Sequence, residues 1–353
     1  MGVTNLSSVL KELSTIPIIK EKSVEDYGGK ILAFDAFNVL YQFLATIRDQ
    51  RGMSLTDAEG RTTSHLIGLL TRNSQLLSKG IKPVFVFDGK SHELKRSTVE
   101  RRSEIKEKAE REYKEALKQG DMQRAKSLGQ RISRLDSNMI DDSKKLLELM
   151  GIPVVQAPGE GEAQAAQIVA EGNAYAVASQ DYDSLLFGGT ILVRNLNISG
   201  RRTLPSGHVK TIHPNELLLE DMKKGLGFTR EQLIDLGILM GTDFNPDGFR
   251  GVGAKTAYKY LKKYGDFLSI QKNEKKVHDV VFENYEEVRS IFLSPNVEEG
   301  VNFSFGNYDV NGILKFLVDE RGFNSNRYKN LLRSTAEAIE TINKQTSLND
   351  FFG

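Results

Sequence analysis

Three apolar runs in this chain each close on aspartate: Lys30-Ile-Leu-Ala-Phe-Asp35, Lys82-Pro-Val-Phe-Val-Phe-Asp88 and Ala174-Tyr-Ala-Val-Ala-Ser-Gln-Asp181-Tyr-Asp183. Short continuous apolar runs read as strands buried on both faces, the pattern of a parallel sheet. Ligands of such sheets bind beyond the carboxyl ends of the strands. Four carboxylates therefore arrive at one rim, and that much negative charge calls for cations. A metal site is expected on this ground alone.

The remaining elements follow from periodicity and stop signals. Helices are expected at Leu6–Leu13, Val39–Arg48 and Ser64–Ser78, with strands at Ile31–Phe34 and Val84–Phe87. A helix over Asp142–Met150 stops at Gly151, with Pro153 just beyond. Strand Val154–Val155, helix Glu162–Glu171 and strand Tyr175–Ala178 come next. Ile191–Leu204 reads as a hairpin turning near Ser199-Gly200. From Glu216 onward the pattern is helical, with helices at Arg230–Met240 and Thr256–Tyr264. The alternation predicts an α/β fold, a doubly wound and mostly parallel sheet flanked by helices, with a helical insertion and a helical C-terminal third.

The insertion spans about 90–135. Lys90 to Arg134 holds 14 Lys and Arg against 8 Asp and Glu, and few large apolar residues. Gly120-Asp121 divides it into two helical halves. Such a segment buries little and is expected to project from the body, its order depending on a ligand. Its positive excess points to a polyanion, although a solvated face laced with i,i+4 ion pairs accounts for the charge as well. The chain as a whole is near neutral, with 48 basic and 47 acidic residues. It has no cysteine, which excludes disulfides, zinc–thiolate sites and thiol catalysis, and an intracellular protein is expected. No apolar stretch approaches the ~20 residues of a bilayer span. Neither a signal peptide nor a membrane partner is expected.

Three more acids join the four. Glu160-Gly-Glu162 opens a helix after Ala157-Pro158-Gly159, and Asp243 lies in the loop Gly241-Thr-Asp-Phe-Asn-Pro246. The i,i+2 spacing of Glu160/Glu162 and Asp181/Asp183 puts each pair on one face of an extended segment. Singly, such residues are often turn formers or helix-start acids. Together, Asp35, Asp88, Glu160, Glu162, Asp181, Asp183 and Asp243 make an all-oxygen donor set suited to Mg²⁺ or Mn²⁺. Seven acids exceed the needs of one ion. Two ions ~3.5–4 Å apart suit in-line attack on a phosphodiester.

Several stretches quote a known pattern: Phe34-Asp-Ala-Phe-Asn38 with Tyr41-Gln-Phe-Leu44, Thr63-Ser-His-Leu66, Gly80-Ile-Lys-Pro-Val-Phe-Val-Phe-Asp-Gly-Lys90, Leu149-Met-Gly-Ile-Pro153, Ala157-Pro-Gly-Glu-Gly-Glu-Ala163, Asp181-Tyr-Asp183, Gly241-Thr-Asp243 and Arg250-Gly-Val-Gly253. In order and nearly end to end, the chain resembles the flap endonucleases, structure-specific 5′-nucleases, of the archaeal type. The resemblance implies cleavage at the base of 5′ flaps during Okazaki fragment maturation and base excision repair, with accompanying 5′→3′ exonuclease activity. It implies that all seven acids serve two Mg²⁺ ions, Mn²⁺ substituting. Asp35, Asp88, Glu160 and Glu162 would crowd the first ion, and Asp181, Asp183 and Asp243 the second. Lys95 and Arg102 would polarise the scissile phosphate. Tyr41 would stack a base, a contact worth ~1–3 kcal/mol, although packing beside Phe43 explains it as readily. Arg48 and Arg72 match positions along the DNA path, and Glu160, Gly241 and Asp243 border it. The insertion corresponds to the family's arch, through which the free 5′ strand passes.

Gly251, Gly253 and Lys255 precede a helix, where backbone N–H groups can meet a phosphate. By resemblance this is a helix–hairpin–helix (about 230–265) that holds K⁺ and grips duplex DNA. The Met1-Gly2 start also matches the family, whose mature N-terminus lies near the metals. The expected organisation is a single nuclease domain over 1–335: an N-terminal portion (1–100), the arch and an internal portion (about 120–265). A tail, 336–353, follows. The tail's Gln345, Leu348, Phe351 and Phe352 resemble the sliding-clamp interaction motif. Branched DNA and a clamp are the expected partners of a monomer. The expected location is the cytoplasm at the nucleoid, or the nucleus in a eukaryotic source. Competing readings are a sibling 5′→3′ exonuclease or junction nuclease, and a clamp-bound DNA binder with a dead site.

Overall fold

The computed structural model describes residues 6–198, 200–203, 209–278, 282 and 284–352, with backbone alone for 345–352. Nine strands occur among them: β1 (Lys20–Glu21), β2 (Ile31–Asp35), β3 (Lys82–Phe87), β4 (Val154–Gln156), β5 (Ala176–Ala178), β6 (Ile191–Arg194), β7 (Gly200–Thr203), β8 (Val209–Ile212) and β9 (Asn215–Leu218). Seven form one sheet in the order β1-β9-β6-β5-β2-β3-β4. From β6 to β4 every pairing is parallel, while β9 and β1 add antiparallel at one edge. The parallel alignment sets Ala33 opposite both Val84 and Val177, so β2, β3 and β5 end together.

Both faces of the sheet are covered. Ala33, Val84, Val86, Val177 and Leu192 face one core, with Ala163, Ala166 and Ile168 of helix Gly161–Ala170. Leu32, Phe34, Phe85 and Phe87 alternate to the other, under helices Ala36–Thr46 and Ser64–Leu77. The Phe34 and Phe85 rings stack at 5.1 Å. Two-sided burial is why these strands read as unbroken apolar runs.

The insertion is a pair of helices, Arg96–Lys118 and Met122–Ile132, turning at Gly120 with φ +72°. Asp121 caps the second, its side chain accepting from Arg124 N–H at 2.9 Å. The pair has a small core of its own: Ala109, Tyr113, Ala116, Ala125 and Leu128. The C-terminal third is helical and ends in Ser325–Phe352, which packs back on helix Ser64–Leu77. None of the described helices is long and apolar enough to cross a membrane.

Two local expectations fail. Ile191–Arg194 does not fold into a hairpin with 200–204. It enters the main sheet beside β5, and Gly200–Thr203 instead pairs with Val209–Ile212. Asn215–Leu218 is not helical but a strand on β6. The Glu216 carboxylate is drawn into the sheet by the Tyr175 hydroxyl, which donates at 2.9 Å. The Met1-Gly2 start lies outside the described residues.

His65 is fully buried, and neither ring nitrogen has a partner among the described residues. Burial pushes its pKa down to about 4, against a partial opposing pull from Asp142 and Asp136. The neutral ring fits the folded state and the charged ring fits the unfolded one. Stability is therefore whole above the unfolded pKa of ~6.5 and is lost as pH falls toward 4. Urea unfolding from pH 7 to 5 should show wild type losing up to about 1.4 kcal/mol per pH unit more than His65→Leu. Parallel slopes would contradict the assignment.

Candidate metal centre at the carboxyl rim

The seven acids come from five chain segments and reach the same rim. Asp35 is the last residue of β2 and the N-cap of helix Ala36–Thr46, accepting from Asn38 N–H at 3.1 Å. Asp88 follows β3 and accepts from Gly161 N–H at 2.5 Å, at the start of helix Gly161–Ala170. That approach needs glycine, since a Cβ at 161 would lie 2.7 Å from the Asp88 oxygen. Glu160 caps the same helix and Glu162 sits in its first turn, accepting from Ser184 N–H at 3.1 Å. Asp181 lies beyond β5 and accepts from the Asn38 side-chain amide at 2.9 Å. Asp183 is buried in the first turn of Asp183–Leu186. Asp243 lies beyond helix Arg230–Met240, and its carbonyl accepts from the Thr98 hydroxyl at 2.7 Å.

These carboxylates feel one another. Burial, then Asp88, pushes Asp35 up to about 7. Burial pushes Asp88 up to about 6, with Glu160 and Asp243 adding to the rise. Burial, then Asp183, Asp181 and Asp35, lifts Glu162 well above the usual range. All seven are thus linked in one network of like charges. Their electrostatic neighbours are as follows. Glu162 neighbours Asp181 and Asp183, whereas Asp243 neighbours Asp88 and Glu160, with Asp35 between the two sets.

The arch root draws Asp243 to that side. Lys95, N-cap of the first arch helix, pairs with Glu160 and stands 3.9 Å from Asp243. Arg102 donates to Asp243 Oδ1 at 2.7 Å. Burial disfavours the Lys95 charge, but Glu160 and Asp243 outweigh it and raise the pKa. No three of the described acids are closed around one point. The donor set nonetheless fits hard divalent ions. It is all oxygen, it carries excess negative charge, and it holds carboxyls reluctant to ionise without a cation.

The other expected residues are distributed as follows. Tyr41 is not core: it is 39% exposed, while Phe43 is buried. Lys106 of the arch lies over its ring at 5.0 Å. Arg48 donates to three carbonyls, Ala45 at 3.1 Å, Gly52 at 2.5 Å and Gly129 at 2.6 Å, and to the Ser133 hydroxyl. It staples the second arch helix to the body. Arg72 donates to Gln75 at 2.9 Å and lines a cleft of about 230 Å³. Helices Arg230–Met240 and Ala254–Tyr264 pack together across 241–253, where Gly241 and Gly251 have φ of +101° and +76° and Gly253 is an N-cap. Lys255 pairs with Glu12 at 2.6 Å. The side chains of Gln345, Leu348, Phe351 and Phe352 lie outside the described residues.

Asn38 and Asp235 carry no role in the sequence reading. Asp235 is buried under Tyr285, whose hydroxyl donates at 2.9 Å, and Arg289 at 3.4 Å, and it ties helix Arg230–Met240 to helix Tyr285–Leu293. The sequence signal for Asp235 was a polar residue amid apolar neighbours, and for Asn38 its place in the matched stretch Phe34-Asp-Ala-Phe-Asn38.

Removing one rim charge should stabilise the metal-free protein. Glu162→Gln is expected to gain about 1–2 kcal/mol in urea unfolding with chelator, and to lose the further stabilisation Mg²⁺ gives wild type. Destabilisation in chelator would contradict the repulsion.

The XPG N-terminal domain pattern matches residues 1–109, and the XPG I-region pattern matches 151–243. Flap endonuclease 1 of Pyrococcus furiosus is 46% identical over 334 residues, covering 94% of this chain and 96% of that protein. Flap endonuclease 1 of Sulfurisphaera tokodaii is 47% identical, covering 95% and 97%. The solved structure of flap endonuclease-1 from Methanococcus jannaschii aligns with a TM-score of 0.71 at 39% identity, covering 92% of this chain and 96% of that one.

Proposed function

The chain belongs to the flap endonuclease family, and from that premise we propose that its seven rim carboxylates hold two Mg²⁺ ions for cutting at the base of a 5′ flap. The protein is a metal-dependent nuclease that hydrolyses DNA phosphodiesters in replication and repair. The observation behind the assignment of residues is the convergence of Asp35, Asp88, Glu160, Glu162, Asp181, Asp183 and Asp243 beneath a basic arch.

Bound there, Mg²⁺, or Mn²⁺ in its place, would activate a water and stabilise charge on the phosphate. The residues divide the remaining work. Asp35, Asp88, Glu162 and Asp181 are each fixed by an N–H donor and form the standing half of the site. Glu160 and Asp243 are engaged by Lys95 and Arg102 and are the exchangeable half. On substrate binding Lys95 and Arg102 turn from these carboxylates to the scissile phosphate, which replaces them as the anionic partner. Tyr41 receives the adjacent base on the ring face that Lys106 now covers. The arch passes the free strand, and its positive charge makes binding fall as salt rises.

Hairpin 241–253 grips the downstream duplex through backbone N–H groups, with K⁺ in the turn and Lys255 on a phosphate. Arg72 sits along the same path, whereas Arg48 serves it by holding the arch. The single nuclease domain of 1–335 works as a monomer at the chromosome in the cytoplasm. The tail 336–353 recruits a sliding clamp through Gln345, Leu348, Phe351 and Phe352.

Labelled 5′-flap, nicked and bubble substrates with Mg²⁺ test this. Release of an intact flap is expected. Mononucleotide ladders from the nick would favour an exonuclease, and preferred bubble cutting a junction enzyme. Asp181→Ala should abolish cleavage, by at least ~10³-fold, while flap binding persists; normal turnover would remove the metal assignment. Deleting 345–353 should spare basal cleavage and remove clamp stimulation. Unchanged stimulation would refute the reading of the tail.

A further inference from the structure

We infer that Asn38 is a positioning residue that joins the carboxylates of Asp35 and Asp181 into one metal-ready arrangement, with Gln42 holding Asn38 in place. The inference rests on the rim being a metal site.

Asn38 lies in the first turn of helix Ala36–Thr46, directly after β2. Its backbone N–H donates to Asp35 Oδ1 at 3.1 Å. Its side-chain Nδ2 donates to Asp181 Oδ2 at 2.9 Å, across 143 positions of sequence. One residue thus grips acids from the ends of two neighbouring strands. The orientation of the amide is dictated by its other end. Oδ1 accepts from the backbone N–H of Gln180 at 3.3 Å, and a backbone N–H can only donate. The nitrogen must therefore face the carboxylate.

Gln42, one turn along the same helix, donates its amide nitrogen to the same Oδ1 at 2.8 Å. The Gln180 segment is held from its far side too, its carbonyl accepting from Arg194 Nε at 2.9 Å. The amide of Asn38 is therefore tied on both sides before any ion arrives.

The chemistry of the donor matters. Lys95 and Arg102 satisfy acids with positive charge, so they compete with a metal ion for the same oxygens. Asn38 satisfies Asp181 with a neutral N–H and has no charge to displace. It can stay in place when a cation is taken up, orienting the carboxylate as partners of metal ligands do. Aspartate at 38 would bring a like charge and no side-chain donor, and alanine would remove the Nδ2 donor to Asp181, while the backbone N–H to Asp35 stays in both.

Calorimetric titration of Mg²⁺ into the full chain tests this, with wild type, Asn38→Asp, Asn38→Ala and Gln42→Leu compared. Melting in chelator checks folding. Asn38→Asp and Asn38→Ala should bind Mg²⁺ about 10–100-fold more weakly. Gln42→Leu should shift it in the same direction by less. Flap-DNA affinity in chelator should stay within about twofold, and kcat at limiting Mg²⁺ should fall while KM for DNA holds. Raising Mg²⁺ should restore kcat. A folded Asn38→Ala with wild-type Mg²⁺ affinity overturns the role of Asn38, and it decides the matter if Asn38→Asp does not fold. A wild type that takes up no Mg²⁺ overturns the metal reading instead.

Discussion

Like-charge repulsion at one rim is the constraint around which the rest of this molecule is arranged. Two carboxylates 4 Å apart repel by about 4 kcal/mol at an effective dielectric of 20. A whole domain is stable by only about 5–15 kcal/mol. Seven acids in one network exceed what the fold could tolerate unaided. The sheet is packed on both faces, so the strand ends cannot spread to relieve them. Compensation comes from several sources: the N-terminus of helix Gly161–Ala170, the amide of Asn38, partial neutralisation of carboxyls by raised pKa, and two cations from the arch root.

These compensators differ in kind. Backbone and amide donors are neutral and permanent. Lys95 and Arg102 are charged and sit at the tips of long side chains. A site meant to acquire metal and release product needs both. The permanent donors keep the geometry from cycle to cycle. The two cations partner Glu160 and Asp243 from the far ends of their side chains. The arch root thus belongs to the electrostatics of the site, and is not merely a cover over it.

Much of this was legible in the sequence, and for identifiable reasons. Strands buried on both faces show as apolar runs, and a parallel sheet gathers their C-terminal residues, so Asp35, Asp88 and Asp181 could be placed together. The arch was readable because a charged, core-poor segment has nowhere else to go. Strand Asn215–Leu218 was not readable, because antiparallel addition to β6 is decided by partners 21 to 27 residues away. Tyr41 and Phe43 differ only in which way a helix faces. Arg48 reads as a cation for DNA, and the structure directs its donors to carbonyls of Gly52 and Gly129. Asn38 lies inside a matched stretch, but its role was not readable because one of its partners is three residues away and the other is 143.

The small core inside the arch has a mechanical consequence. Ala109, Tyr113, Ala116, Ala125 and Leu128 hold the two arch helices to each other, and not to the body. The body meets them along their length: at Lys95, Thr98 and Arg102 near one root, at Tyr41 under Lys106 and Arg51 beside Tyr113, and at Gly52 against Gly129 with Arg48 near the other. The two helices are therefore one stiff unit, and moving it off the body breaks surface contacts while its own small core stays closed. Displacing the pair costs its polar contacts and its close packing on Gly52 and Tyr41, with no need to unfold and refold the two helices.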